Sequence, residues 1–431
     1  MLRIHYLCTK IKRTMYKLSP LILFLLLYLG TSILLRDFYS VPIAVAFLLS
    51  AIYSLIATSG TFKERLTAFT GGMADSTVGL MLLIFILSGA FAATAKAMGA
   101  VDSTVNMTLQ LMPRSLLLPG IFLASCFISF SIGTSCGTIA ALTPVAVGIA
   151  SATGIDIPLM VGLVVGGTYF GDNLSFISDT TIIATQTQGC RMRDKFLTNI
   201  RIVLPCALIL IVVYYFIGRS IQPTDSSASY TFVKIIPYLC VIVAALSGID
   251  VILVLILGLF STFVIGTLQG SFTPLQWLQE ANNGIMGMAE LILCALLASG
   301  MLAVIRHQGG ITYIITKITR HVNGTRGAEF AIAALVVLVN ICTANNTIAI
   351  ITVGSIAHEI SERFGIDPRR SASILDTMSC FAQGLLPYGA QVLIAAGLAS
   401  INPAYIIPYL WYPVLIGLAV LISILFKPKN V

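Results

Sequence analysis

Two aspartates, Asp172 and Asp179, lie in a polar stretch, 166–181, that interrupts an apolar segment long enough to cross a bilayer. An ionisable side chain at membrane depth is costly and nearly always faces a polar cavity or a partner. Oxygen atoms are the ligands that a small hard cation prefers. The stretch therefore predicts half of a site that binds cations and protons; the alternative is a break at an aqueous interface, where the aspartates only cap helix ends. Its other oxygen-bearing side chains are those of Thr168, Asn173, Ser175, Ser178, Thr180 and Thr181.

The composition predicts a membrane protein made of helices. The chain has 431 residues, of which 57% are hydrophobic and 10% are charged, and its mean hydropathy is +0.97. A soluble domain carries about 25% charged residues. We therefore expect an all-α polytopic membrane protein of about 10–12 transmembrane segments in the lipid bilayer. The net charge of +8 is attributed to the sidedness of the chain and not to a nucleic-acid partner.

The apolar runs divide the chain into predicted spans and two broken regions. Spans are expected near 20–35, 41–58, 77–98, 200–217, 232–248, 250–267, 288–305 and 404–426, with short interfacial helices at 61–72 and 274–286. The predicted organisation has four parts. These are 1–76, a cytoplasmic tail and two leading helices; 77–218, a first repeat with broken segments 115–152 and 157–185; 219–287, connecting helices; and 288–431, a second repeat with broken segments 327–361 and 370–400.

The two broken regions match each other at a constant offset. Ser299–Gly300 follows Ser88–Gly89 by 211 positions (299 − 88 = 211), and other pairs follow the same register without a gap. Under this offset Asp172 corresponds to Gln383. Interrupted segments at corresponding positions of two halves point to a transporter site at the interface between repeats. The alternative is a chance similarity between glycine-rich membrane segments.

The distribution of basic residues predicts the sidedness of the chain. With cytoplasmic N- and C-termini, all but five of the 25 Lys and Arg, Lys195 included, fall on the cytoplasmic side of the cell membrane. The span at 77–98 then runs outward and that at 288–305 inward, so the repeats are expected to have inverted topology. Segments 115–152 and 327–361 return to the side they left, either as re-entrant hairpins or as two full spans each. The five exceptions are Arg36, Lys96, Arg114, Arg219 and Lys234.

The tips of the two returning segments complete the predicted site. The first tip contains Thr134 and Ser135, whose hydroxyls could ligate a cation beside Asp172. Asp376 precedes the second break and is a further cation- and proton-binding candidate; the alternative is that it faces the cytoplasmic vestibule. The second tip and break supply the side chains expected to contact an organic substrate, should the chain carry one: Asn345, Asn346, Gln383 and Tyr388.

Carboxylates in such a site allow a cation and a proton to compete. A carboxylate that has lost its water binds a proton more readily. Sodium arriving at Asp172 and Asp179 would favour the charged form and expel that proton. If only a loaded site can switch the side on which it opens, the two fluxes become coupled exchange.

The sequence gives no sign of an enzyme. We find no recognisable nucleophile–base arrangement, and we expect no cofactor. His358–Glu359 resembles the start of a zinc-protease motif, but the position four residues after His358 is Glu362 and not a histidine.

The stretch 171–181, Gly-Asp-Asn-Leu-Ser-Phe-Ile-Ser-Asp-Thr-Thr, resembles the Gly-Asp-x-x-Ser-Pro-x-Ser-Asp-Thr-Thr signature of NhaC-type sodium/proton antiporters, part of the ion-transporter superfamily. The tip 133–138 is similar to that family's Gly-Thr-Ser-x-Gly-Thr, and 374–377 with 385–388 resembles its second-half pattern. The chain differs at Phe176, Leu375 and Tyr388, where the family has proline, glutamate and tryptophan. The resemblance covers residues 80–400. It implies site residues at Asp172, Ser175, Ser178, Asp179, Thr180 and Asp376.

These observations predict a secondary active transporter that exchanges sodium for protons across the cell membrane. The alternative is a sodium- or proton-coupled transporter or exchanger of a small organic acid or amino acid. A passive channel agrees less well with paired broken repeats. Assembly into a homo-oligomer is left open.

Overall fold

The computed structural model describes residues 17–31, 42–175, 178–219, 229–247, 249–319, 322 and 324–426. Every regular element in these ranges is a helix, so the prediction of an all-α protein is confirmed. The N-terminal tail before residue 17, the end of the first predicted span at 32–35, and the residues Arg36 and Phe176 lie outside the described residues.

Twenty helices are described, the first of which continues into a π-helical turn at Leu26–Gly30, with short 3-10 turns at Arg114–Leu116, Pro403–Tyr405 and Ile407–Tyr409. The first half contains α1 (Lys17–Tyr28), α2 (Ile43–Ile56), α3 (Phe62–Met73), α4 (Ser76–Met98), α5 (Ala100–Leu111), α6 (Leu117–Ile132), α7 (Ser135–Thr153), α8 (Ile157–Leu174), α9 (Asp179–Gln188) and α10 (Met192–Gly218). The second half contains α11 (Phe232–Leu246), α12 (Val251–Leu268), α13 (Pro274–Gly287), α14 (Ala289–His307), α15 (Gly310–Thr319), α16 (Gly324–Thr343), α17 (Asn346–Phe364), α18 (Pro368–Gly384), α19 (Ala390–Ala399) and α20 (Trp411–Leu425).

Within the described residues, seven helical segments are long and apolar enough to cross a membrane, judged by length and composition. Counting the bent pair Ala390–Ala399 and Pro403–Tyr409 as one span raises the number to eight. This is lower than the 10–12 segments expected, because four further apolar helices have fewer than 18 residues. The seven are Val78–Met98, Arg114–Ser131, Ser135–Thr153, Met192–Gly218, Val251–Leu268, Pro274–His307 and Gly324–Thr343; the shorter four are Lys17–Tyr28, Ile43–Ile56, Phe232–Ala244 and Trp411–Leu425.

Both polar stretches that follow the hairpins break a helix. Helix α8 ends at Leu174, and α9 begins at Asp179. In the second half α18 ends at Gly384, and α19 begins at Ala390. Helix ends leave backbone groups without intrahelical partners, and in a membrane these are tolerated only where protein or a cavity satisfies them.

Each hairpin turns within two residues. Gly133 follows α6 with φ +75°, and Ala344 follows α16 with φ +51°. Glycine adopts this left-handed conformation without steric cost, whereas alanine does so with a cost of about 1–2 kcal/mol. The turns aim the first residues of α7 and α17, Ser135 and Asn346, at the same region of the molecule.

The helices of the two halves end at corresponding positions. Helices α7 and α17 begin and end 211 residues apart, and so do α9 and α19. The residue after each of these helices is left-handed in both halves: Gly154 and Gly365 after the first pair, and Gly189 and Ser400 after the second. The two halves therefore have the same helix boundaries at these positions. Their inverted orientation stays a prediction.

Helices of each half pack against helices of the other half, in equivalent pairs. Helix α9 packs against α17 of the other half, and α19 packs against α7. Likewise α3 packs against α14, and α13 against α4, where a Cβ on Gly89 would lie only 2.5 Å from the carbonyl oxygen of Gly284. Reciprocal packing of this kind is what a two-fold relation between equivalent units produces. It brings the two helix breaks together.

Candidate functional site

One cavity of about 220 Å³ lies between the two halves. Both hairpin tips and both helix breaks contribute to its wall. Asp172 and Gln383, which correspond under the offset of 211 residues, both line it. The predicted site residues on the wall are Thr134, Ser135, Asp172, Ser178, Asp179, Thr180, Asn345, Asn346, Gln383 and Tyr388.

Asp172 lies on the wall of the cavity and is only 4% exposed. It occupies the last turn of α8, a helix that is buried along most of its length. The neighbouring Gly171 leaves no space for a side chain against Ser129, and the Ser129 hydroxyl donates to the carbonyl oxygen of Thr168 at 2.7 Å. Close packing of α8 on α6 therefore fixes the position of Asp172 along α6.

Ser135 lies beside the Asp172 carboxylate on the wall of the cavity. Both the hydroxyl and the backbone N–H of Ser135 interact favourably with the negative charge of that carboxylate. Ser135 is the first residue of α7, where backbone N–H groups are free and the helix dipole favours a negative charge. The alternative in which Asp172 only caps a helix at an aqueous surface disagrees with its burial.

Asp179 is the first residue of α9 and is exposed. Beside it, the hydroxyls of Ser178 and Thr180 are hydrogen-bonded to each other at 3.0 Å. All three side chains line the cavity. The first break thus presents a buried carboxylate, an exposed carboxylate and two hydroxyls, a set of oxygens suited to a hard cation.

A chain of amide side chains connects the second break to Asp172. The amide nitrogen of Gln383 donates to the carbonyl oxygen of Ala344 at 3.1 Å and to Oε1 of Gln391 at 3.0 Å. The amide nitrogen of Gln391 then donates to the hydroxyl oxygen of Ser135 at 3.1 Å. A hydrogen-bonded path therefore runs from the second half to Ser135, which lies beside the Asp172 carboxylate of the first half.

The remaining second-half candidates also line the cavity, but local contacts hold them. The Tyr388 hydroxyl donates to the carbonyl oxygen of Ile341 at 2.9 Å. The side-chain oxygen of Asn345 accepts from the N–H of Ile348 and caps α17, and that of Asn346 accepts from Thr347, each at 3.0 Å. The side-chain amide nitrogens of the two asparagines are the groups left to face a solute.

Three predicted site residues do not line this cavity: Asn173, Ser175 and Asp376. All three are buried. The amide nitrogen of Asn173 donates to the carbonyl oxygen of Tyr169 at 2.7 Å. Asp376 is fully buried and forms an ion pair with Lys195, with Nζ and Oδ2 separated by 2.6 Å.

Lys195 is buried, which the sequence did not indicate. The distribution of basic residues predicts that it lies on the cytoplasmic side, together with the arginines at the start of α10, and that sidedness stays a prediction. The side chain of Lys195 is 1% exposed and lies inside the protein, where Asp376 compensates its charge. A lysine next to a helix start cannot be distinguished by sequence from a surface residue.

Other residues of the site carry no sequence signal that we recognised. Asp75 and Arg306 line the cavity, as does Gln391. Within the described residues, the wall therefore carries three carboxylates, those of Asp75, Asp172 and Asp179, against one basic side chain. The offset relates Gln391 to Thr180, and this correspondence was the one available indication that Gln391 faces the site.

Known proteins resemble this chain along most of its length. The model of the Na+/H+ antiporter family matches residues 4–219 and 226–427. The malate-2H(+)/Na(+)-lactate antiporter of Bacillus subtilis is 22% identical over 94% of this chain and 94% of its own, and the Na(+)/H(+) antiporter NhaC of the same organism is 25% identical over 80% and 82%. The solved YdaH transporter of Alcanivorax borkumensis covers 84% of this chain and 87% of its own, with a TM-score of 0.43 and 13% identity.

The family match extends over both halves, including both hairpins and both helix breaks around the cavity. The chain belongs to the Na+/H+ antiporter family.

Proposed function

We propose that this protein exchanges sodium for protons, with Asp172 as the central carboxylate and Asp179 as the second ligand of sodium. The observation that carries the proposal is the position of Asp172, buried on the wall of a cavity that both halves of the chain build. A carboxylate at this place can hold sodium or a proton, one at a time. The hydroxyls of Ser135, Ser178 and Thr180 are the further ligands of the ion.

The charge of the wall favours a cation. Three carboxylates face the cavity, and Arg306 is the basic side chain on its described wall.

The hydrogen bonds from Gln383 through Gln391 to Ser135 connect the second half of the chain to the residues around Asp172. Movement of one half relative to the other would therefore change how tightly the carboxylate holds its ion.

We further propose that the two halves have inverted topology and that both termini lie in the cytoplasm. The basic residues support this orientation because most of them fall on one side of the predicted spans. Alternating access then follows from rocking one repeat against the other around the fixed cavity.

A small organic acid is the second candidate substrate. The cavity of about 220 Å³ has the volume of roughly seven waters in the liquid, far more than a bare cation needs. Its wall also contains Arg306, the amides of Asn345 and Asn346, and the beginnings of α17 and α19, all of which can bind a carboxylate. The relative from Bacillus subtilis named for malate and lactate makes this class worth testing.

Transport by the purified chain in sealed vesicles separates these functions. Sodium-free vesicles containing a trapped pH dye are diluted into sodium chloride or choline chloride at equal pH. Sodium/proton exchange predicts that the lumen becomes alkaline in sodium alone, without any organic solute. A change in lumenal pH that requires a hydroxy acid, a dicarboxylate or an amino acid, in sodium or in choline, would identify the second candidate. No sodium-dependent change without an organic solute would refute sodium/proton exchange, and no organic-solute-dependent change in either salt would refute the second candidate.

A further inference from the structure

Lys195 lies in a cage of oxygen atoms that is separate from the cavity. Its Nζ is 2.6 Å from Oδ2 of Asp376, 2.6 Å from the Thr181 hydroxyl oxygen and 2.9 Å from the carbonyl oxygen of Asn173. Lys195 and Asp376 do not line the cavity, and both are buried. Carboxylate, hydroxyl and carbonyl oxygens also bind alkali cations, because they replace the water molecules that hydrate the ion.

The broken helix adds to the attraction for a cation. Asn173 is next to the last residue of α8, so its carbonyl belongs to the negative end of the helix. Two nitrogen donors converge on this oxygen: Nζ of Lys195 at 2.9 Å and Nδ2 of Asn199 at 2.8 Å. Asn199 stands one turn after Lys195 on α10 and also donates to Asp376 at 2.9 Å.

The cage holds more acceptor oxygen than its donors use. Among the described residues, neither Oδ1 of Asp376 nor Oδ1 of Asn199 has a hydrogen-bond partner, although both atoms are buried. A buried acceptor without a partner is unfavourable, and it indicates a place where an ion or water would be bound. This observation is independent of the ion pair itself.

We propose that Lys195 is a built-in cation that permanently fills a second cation site, formed by Asp376, Thr181 and the end of α8. Because its ammonium is tethered, the charge of Asp376 is neutralised without binding a mobile ion. The exchangeable ions are then those of the cavity alone. Without the lysine charge, the same cage would bind a free monovalent cation, sodium or potassium.

The Lys195→Met variant tests this directly, because methionine keeps an apolar stem and removes the charge. Thermal unfolding of the full chain in detergent is measured in sodium chloride, potassium chloride and choline chloride. All variants also carry Asp172→Asn, so that any cation binding that remains in the cavity is the same in each variant and the result does not depend on the proposed exchange. The matched control is Lys195→Met/Asp376→Asn, in which the cage has lost both charges.

We expect the unfolding temperature of Lys195→Met to rise by at least ~2 °C in sodium or potassium relative to choline. The control and the parent with Lys195 intact should show no such rise. If Lys195→Met is unfolded in choline, the proposal requires sodium or potassium to recover folded protein. Equal unfolding temperatures in all three salts, or an unfolded variant in all three, would show that the pair is only structural and would overturn the proposal.

Discussion

The amide nitrogen of Gln391 donates to the hydroxyl oxygen of Ser135 across 3.1 Å, joining residues 256 positions apart. Ser135 in turn lies beside the carboxylate of Asp172 and interacts favourably with its charge. The second half of the chain therefore contacts the central carboxylate through one intermediate side chain. This connection gives the site a physical means of responding to movement between the halves.

Gln391→Leu should weaken sodium binding without removing exchange. Leucine has a similar volume but cannot donate, so the Ser135 hydroxyl loses its link to the second half. One hydrogen bond contributes about 0.5–1.5 kcal/mol, so the sodium concentration for half-maximal exchange should rise about 2- to 10-fold. Gln186→Leu, on an exposed position of α9, is the control. An unchanged concentration dependence in Gln391→Leu would disconnect this side chain from the ion.

Asp179→Asn should abolish sodium-dependent proton movement while the protein still inserts into the membrane. The substitution keeps the size of the side chain and removes one of the three negative charges from the cavity wall. Vesicle transport and the amount of folded protein in the membrane are measured together. Exchange at the wild-type rate would remove Asp179 from the mechanism. The proposed ligands of the ion would then be Asp172 and the hydroxyls.

Gly167→Ala should destabilise the fold by displacing α8 from α6. A Cβ at this position would lie 2.6 Å from the Cβ of Ser125 and 2.9 Å from the carbonyl oxygen of Phe122. Overpacking of this kind costs about 1–3 kcal/mol, so the unfolding temperature in detergent should fall. The control is Gly79→Ala in α4, where no atom lies within 4 Å of the added Cβ. Equal stability of the two variants would contradict the tight contact that positions Asp172.

Single cysteines at corresponding turns test the inverted topology. Ser151 and Glu362 are 211 positions apart, and both are exposed near the ends of α7 and α17. A membrane-impermeant thiol reagent should label Ser151→Cys from outside the cell and Glu362→Cys from the cytoplasmic side, with the unmodified chain as background. Labelling of both positions from one side would refute the inverted arrangement.

The first helix break could be predicted from the sequence, but the buried contacts next to it, such as the ion pair of Lys195 and Asp376, could not. Asp172 was recognisable because an acidic residue within an apolar span is energetically costly, and such residues usually mark a functional site. Gln383 was recognisable only through the offset that relates it to Asp172. The burial of Lys195 was not, because this residue was counted only as one of the basic residues that predict the sidedness of the chain. Its pairing with Asp376 is a contact between distant segments that no local pattern encodes.

The number of spans shows a similar limit. Apolar runs predicted where most helices lie, but Pro408 interrupts the last predicted span, 404–426. Pro403, just before that span, and Pro408 lie in two short 3-10 turns, and the long helix begins only at Trp411. Proline lacks the N–H that a continuing α-helix would use, so the backbone bends where hydropathy alone indicates one uninterrupted segment.

Sodium-driven proton movement by Asp172→Asn in sealed vesicles tests the central claim most directly. Asp102→Asn, the same chemical change at an exposed position of α5, is the control. The account predicts that Asp102→Asn alkalinises the lumen in sodium as the wild type does, and that Asp172→Asn does so no faster than vesicles without protein. Sodium-dependent alkalinisation at the wild-type rate by inserted, folded Asp172→Asn would contradict the account.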